Sequence, residues 1–430
     1  MNEKIPNFKR TKFACYASYF TMSSIFSMPP LLFLTFREIY GISYTLLGTL
    51  VLANFLTQLS VDLVFTFFSK HFNVKWVVRI MPLITSLGLL IYALSPFVFP
   101  NATFVGLLIG TVIFSVSAGL SEVLLSPIIA AIPSKNPERD MSFLHSLYAF
   151  GFLTVVLITT FYLKIFGNRS WMYLSIFFAA LPIIASVLFM TSPMPEMNAN
   201  TDANIGEKTH KSFVGLAFCV ACIFFGSCAE TVMTNWVSSY TEAALGIDKA
   251  LGDILGMAMF AVLLGLVRIA YGKFGKSITT VLFVGMIGAA ACYITVALTK
   301  SSLLAFVACI LTGAFTAMLW PGALIFMEKN VRGVGVGAFA LMASGGDLGA
   351  AIAPQLMGIV ADTVSASSLA EKYSAALALT AEEIGMRAGM LATSIFPIMG
   401  IIVLFAATRY FAKNDLQISA KKEKNNVKNR

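Results

Sequence analysis

Between residues 13 and 411 the chain passes twelve times through a long, mostly apolar run. The runs fall at 13–36, 46–69, 77–96, 104–132, 141–163, 171–190, 213–240, 251–271, 279–298, 302–326, 336–360 and 387–411. A helix rises about 1.5 Å per residue, so roughly 20 residues cross the ~30 Å hydrocarbon core of a bilayer. No water is present there to satisfy backbone N–H and C=O groups, so runs of this length are predicted to be helices. Composition agrees: 58% of the residues are hydrophobic and 12% charged, against roughly 25% charged in a soluble domain. A chain of this kind must put much of its surface against lipid. The first run is span-length, longer than the apolar core of a cleavable signal, so a retained span is expected there.

The net charge is +9, but the basic residues sit in short loops and at the C-terminus rather than on a folded basic face. That distribution excludes a nucleic-acid partner and reads instead as a topology signal. With the N-terminus inside, the inner segments carry 22 Lys and Arg and the outer loops 7. Such an excess marks the cytoplasmic side. The expectation is a multi-pass protein of the cell (plasma) membrane with both termini cytoplasmic.

Residues 191–212 form the longest inner loop. Ser192-Pro193-Met194-Pro195-Glu196 and the polar stretch after it are too rich in Pro, Asn, Thr and charge to pack, so this is a linker. The fold class predicted is all-α integral membrane: twelve transmembrane helices in two six-helix, pseudo-symmetric halves. The divisions are 1–190, the linker 191–212, a second half at 213–411 and a basic tail at 412–430. In the outer loop 361–385, Leu369, Tyr373, Leu377 and Leu379 predict a short amphipathic helix.

All six cysteines lie inside apolar runs, Cys219 and Cys222 as a C-x-x-C. A disulfide framework or thiol chemistry needs an accessible setting, so these read as small packing residues. The sequence contains no G-x-x-x-x-G-K-[ST], H-E-x-x-H or G-x-S-x-G. No enzyme activity, cofactor or metal site is expected.

A charge in the bilayer interior costs at least a few kcal/mol, so acids within spans are the functional candidates. Asn54, Gln58 and Asp62 are spaced by four and share one helical face. Turned toward lipid, that face would be costly. It therefore lines a cavity or a helix contact, where interhelical hydrogen bonding is an equal alternative. Glu122 lies about four residues, or ~6 Å, inward of the middle of its run, among Ser115, Gly119, Ser121 and Ser126. Pro127 has no N–H for the Val123 carbonyl. A carboxyl in apolar surroundings beside a freed carbonyl is held most cheaply with a proton on it, which suits a proton carrier; the alternative is a locked interhelical pair.

In the seventh run Ser227, Glu230, Thr234 and Ser238 share a face, followed by Asn235 and Trp236. Trp236 reads equally as an interfacial anchor or as a stacking wall for a ligand. Asp347 follows Ser344-Gly345-Gly346, whose glycines allow close helix approach. Asp253 is placed near an outer helix end, as a solvated first-turn acid. Arg268, within the eighth run near its inner end, reads as paired or reaching to the interface. Pro29-Pro30, Pro321 and Pro354 predict helices broken at depth. The site expected is therefore Glu122 and Asp62 for proton coupling, with Asn54, Gln58, Glu230, Thr234, Asn235, Trp236 and Asp347 lining a solute cavity.

Six plus six spans around a central linker is the architecture of the major facilitator superfamily. Ala118-Gly119-Leu120-Ser121-Glu122 through Pro127, then Ser142-Phe143-Leu144-His145-Ser146-Leu147-Tyr148, resembles its fucose-permease-like branch. So do Ala229-Glu230 with Trp236 and Tyr240, Trp320-Pro321-Gly322, and Gly345-Gly346-Asp347 with Pro354, Gly358 and Asp362. The resemblance implies secondary transport by alternating access, often sugar uptake coupled to protons, with Glu122 in the place of the branch's fourth-span acid. The chain departs from the branch in having no acid in its first span, where Asp62 stands as the substitute. It departs from the superfamily in carrying Ser69-Lys70 where an acid ends the second span. The implied partners are a small hydrophilic, sugar-like solute, the proton and the lipid bilayer, and a monomer is expected. Two other functions fit the same architecture: a proton-driven efflux carrier for amphipathic compounds, and a non-transporting membrane sensor. The polar cavity residues favour a hydrophilic solute, and a sensor would usually add a soluble domain.

Overall fold

The computed structural model describes residues 7–68, 71–135, 137–195, 210–275, 277–331 and 336–428. Among the described residues the regular structure is entirely helical. The first part contains α1 Lys9–Leu31, α2 Phe33–Tyr40, α3 Tyr44–Phe68, α4 Val74–Val98, α5 Thr103–Ala131, α6 Pro137–Phe166 and α7 Trp171–Met190. The second contains α8 His210–Leu245, α9 Lys249–Leu251, a π-helical turn Gly252–Ala258, α10 Met259–Phe274, α11 Ile278–Leu298, α12 Ser302–Thr316, α13 Leu319–Asn330, α14 Val336–Ser365, α15 Ser368–Leu377, α16 Ala381–Thr393 and α17 Ile395–Lys428.

Ten helical stretches are long and apolar enough to cross a membrane, and α1 with α2, bent by 49°, makes an eleventh. A shorter apolar helix, Phe150–Phe166, lies in α6 and covers most of the fifth predicted run. Breaks fall at Pro29-Pro30 and at Pro321, but not at Pro354, which sits inside the continuous α14, where its carbonyl accepts the Trp236 indole N–H at 3.0 Å. Pro29 and Pro30 close α1, and the Leu32 amide turns back to the Pro29 carbonyl at 3.0 Å. The tenth run is divided between α12 and α13 just before Pro321, leaving the Ala317 carbonyl outside both helices. The outer amphipathic segment is helical as α15, with Tyr373 and Leu377 exposed.

Small residues set how closely the helices approach, as expected where lipid supplies no hydrophobic drive between them. A Cβ on Gly110 of α5 would fall 2.7 Å from the Tyr92 amide nitrogen of α4. The two parts of the chain meet along α3 and α14, which run antiparallel and side by side. Gly48 of α3 lies against the Pro354 and Gln355 backbone, and Gly358 of α14 against the Tyr44 carbonyl. The face of the molecule carrying Tyr44, Lys249 and Asp362 is called the clasp face here. The opposite face, where Thr11 donates to the Pro193 carbonyl at 2.5 Å, is the linker face.

Candidate functional site

On the inner face of α3, Gln58 Nε2 donates to Asn54 Oδ1 at 3.0 Å, and Ser115 Oγ of α5 donates to the same oxygen at 2.6 Å. The polar stripe is thus buried between helices, and part of its role is the interhelical bonding that was one of its two readings. Asp62, one turn further, is buried, as is Asp347 on α14. The two carboxyl groups lie close enough across the α3–α14 joint to interact directly. Two ionised carboxylates have only acceptors, so a proton held between two such neighbours would turn their repulsion into a hydrogen bond. Glu122 lies within electrostatic reach of both acids and of Tyr19 on α1. It shares a helical face with Ser115 and Gly119, and a Cβ on Gly119 would sit 2.9 Å from the Val61 side chain. Glu122 is nevertheless exposed, although nine residues, or ~14 Å of helix, separate it from the α5 end at Ala131. A side chain that is deep, aimed at α1, α3 and α14, and still exposed faces an interior opening rather than lipid.

In the second part Glu230 is paired with Arg268 at 3.4 Å. Arg268 Nε donates to the freed Ala317 carbonyl at 2.8 Å. The break before Pro321 thus positions the guanidinium, and the base expected to pair or reach the interface does pair. Thr234 Oγ1 is spent on the Glu230 carbonyl at 2.8 Å, and Asn235 Nδ2 on the Thr231 carbonyl at 2.8 Å. Asn54 and Asn235, from the two parts of the chain, line one small chamber of about 20 Å³ beside Pro29, Pro30 and Phe114. That volume holds about one water. Ser227 is buried. Trp236 takes neither of its two expected places. It is fully buried, its indole N–H donates to the Pro354 carbonyl at 3.0 Å, and its ring packs on Phe33 and Tyr44 with centroids 5.2 and 5.6 Å away. It is a seam residue, filling the joint between α2, α3, α8 and α14.

Asp253 also departs from expectation. It is completely buried rather than solvated. Its carboxylate accepts from Ser238 and, at 3.2 Å, from Thr160 of α6, with Lys249 Nζ 3.9 Å away. Lys249 in turn donates to the Leu31 carbonyl at 2.7 Å. Sequence spacing put Asp253 in a first turn; the π-helical turn and the packing of α6 over it took it out of water.

The clasp face holds a second cross-chain cluster. Asp362 accepts the Tyr44 and Thr45 amides at 3.1 and 2.6 Å, capping α3 from another helix. Arg37 Nε bonds Glu382 at 2.9 Å, its guanidinium lies 4.1 Å over the Tyr44 ring, and the Tyr44 hydroxyl donates to Glu382 at 2.6 Å. Asp362 appeared in the sequence only as part of a resemblance; Arg37, Tyr44 and Glu382 had no intramembrane signal at all. The side chains of His145 and Tyr148, and Ser69-Lys70, lie outside the described residues.

The fold and this arrangement define a class: a multi-pass helical carrier whose two parts meet at a polar seam around an interior opening. The Major Facilitator Superfamily model matches residues 13–354. The chain belongs to that family and is a membrane transporter, not an enzyme. No curated protein matches it by sequence. A bacterial homologue of the human lysosomal transporter Spinster, in an inward-facing and occupied conformation, aligns at TM-score 0.73 and 16% identity, over 95% of this chain and 98% of that one. A D-xylose–proton symporter aligns at 0.70 and 15%, over 93% and 97%. The fucose:proton symporter of E. coli aligns at 0.59 and 14%, over 93% and 99%. At these identities the likeness is one of fold, and it does not single out the fucose branch.

Proposed function

We propose that the chain is a proton-coupled secondary transporter of a small hydrophilic, sugar-like solute. In this reading it is a monomer of the cell membrane, with both termini and the linker face cytoplasmic, and works by alternating access. Residues 1–190 and 213–411 are its two moving halves. The observation that carries the reading is the juxtaposition of two buried acids, Asp62 and Asp347, one from each half across the packed α3 and α14, with Glu122 beside them. With a proton in the pair, the two groups attract and hold α3 against α14. Without it, two like charges repel across the seam. Proton occupancy therefore biases the seam between its two arrangements, and each ligand shifts that equilibrium by its differential affinity. Glu122, exposed on the interior opening, relays protons between solution and the pair. Glu230 and Arg268 offer opposite charges to a polar solute from the other half. The sugar-like substrate class follows the motifs shared with the fucose-permease-like branch and the symporters of like fold.

The test is reconstitution into liposomes containing a pH-sensitive dye, with L-fucose, D-xylose and uridine as probes. The expected result is proton movement with at least one probe. Asp347→Asn and Glu122→Gln should keep solute counterflow and lose pH-driven accumulation. Accumulation undiminished in both variants overturns the coupling assignment, and an absence of proton movement with any probe that is transported overturns symport.

A further inference from the structure

We infer that an anionic phospholipid occupies a built site on the outside of the first half, between α3 and α4. Helices α3 and α4 both pack on α5 and, among the described residues, have no extensive contact with each other. They leave a trough of about 520 Å³ walled by Val61 and Val64 of α3 and by Trp76 and Ile80 of α4, and floored by Val116 and Leu120 of α5. Val64, Trp76 and Ile80 are exposed. The α4 wall from Trp76 to Ile84 covers nine residues, or ~12 Å of helix from first to last, close to one leaflet's half of a ~30 Å hydrocarbon core. The trough is therefore apolar, elongated and as deep as a single acyl chain needs.

At its linker-face end the trough meets a second cavity, of about 360 Å³, lined by Asn73, Lys75, Ile128 and Pro195 among others. Phe72 and Asn73 line both. An apolar trough joined to a polar pocket has the shape of an amphiphile. Lys75 supplies the pocket's charge, and Arg79 follows one turn on, its guanidinium 5.5 Å over the Trp76 ring. Neither cavity is lined by an acidic residue. Trp76 stands between head-group pocket and tail trough, the depth at which indoles sit in bilayers. Cations at this level favour anionic head groups. Val61 adjoins Asp62 and packs at Gly119, so a tail in the trough braces the reverse side of the two helices that carry Asp62 and Glu122.

The test is native mass spectrometry of the purified protein with phosphatidylglycerol and phosphatidylcholine of identical chains. The parent should retain phosphatidylglycerol over phosphatidylcholine by about fivefold per cation. Lys75→Gln with Arg79→Gln should abolish that preference. Val64→Trp, which fills the trough, should reduce retention of both lipids, while Leu87→Trp, exposed on α4 outside the trough, should change neither. Unchanged phosphatidylglycerol preference in the double Gln variant overturns the site, independently of how the Trp variants fold. Equal losses from Val64→Trp and Leu87→Trp overturn it as well.

Discussion

Asp362→Ala is expected to open the clasp face. Asp362 sits on α14 but caps α3, accepting two amides at 3.1 and 2.6 Å, with Arg37 3.9 Å from the same carboxylate. Losing an N-cap costs about 0.5–2 kcal/mol, and each hydrogen bond to a charged group contributes about 1.5–3 kcal/mol. The Asp362 side chain is 23% exposed, so water restores part of the loss, and the ion pair at this distance adds little. About 2 kcal/mol is left, present only while the two halves touch at this end. That corresponds to a shift of about 30-fold in the closed-to-open equilibrium. The assay is labelling of Ala351→Cys, a fully buried position on the α14 face that also carries Asp347, Gln355 and Gly358, by a membrane-impermeant maleimide. The six native cysteines are buried, and replacing them removes any background. Asp362→Ala should raise the labelling rate about 30-fold. Thr380→Ala, which removes the capping box internal to α16, should leave it unchanged. A rate within twofold of the parent for Asp362→Ala would show that the cross-half cap does not hold this face shut.

Two further outcomes follow from the same contacts. Lys249→Met removes the cation beside the fully buried Asp253 and should destabilise the protein by about 3 kcal/mol, the low end for an uncompensated buried charge; thermal unfolding should show most of this regained in Lys249→Met/Asp253→Asn, and failure of the second change to rescue would mean the pair is not what is lost. Gly358→Ala drives a methyl into the Tyr44 carbonyl, an overpacking cost of about 1–3 kcal/mol borne by the α3–α14 joint, so labelling at Ala351→Cys should rise, whereas Gly265→Ala, with open space around it, should not alter it.

Much of the fold was legible because the bilayer leaves few choices. A run such as 77–96 or 279–298 has no way to satisfy its backbone in lipid other than as a helix, and α4 and α11 cover them. Pro29-Pro30 and Pro321 marked real breaks because the missing N–H is a local property of the chain. The acids were legible as candidates for a similar reason: a carboxyl in a span must be met by something. What met each one was not legible. The period-four spacing of Asn54, Gln58 and Asp62 pointed to a shared face, but it carried no information that Asp347, from a distant run, would lie beside Asp62. Asp253 was misplaced because its burial comes from α6 and α8 crossing over it, and Trp236 because its partners lie on α2, α3 and α14. The sequence by itself determined which segments are helices, where they break and which ones carry charge into the membrane, since these follow from backbone hydrogen bonding and local composition. Only the tertiary structure decided which acids lie together, beside a cation or at another helix's end, because those pairings depend on side chains brought together by helices that have no local reason to be neighbours.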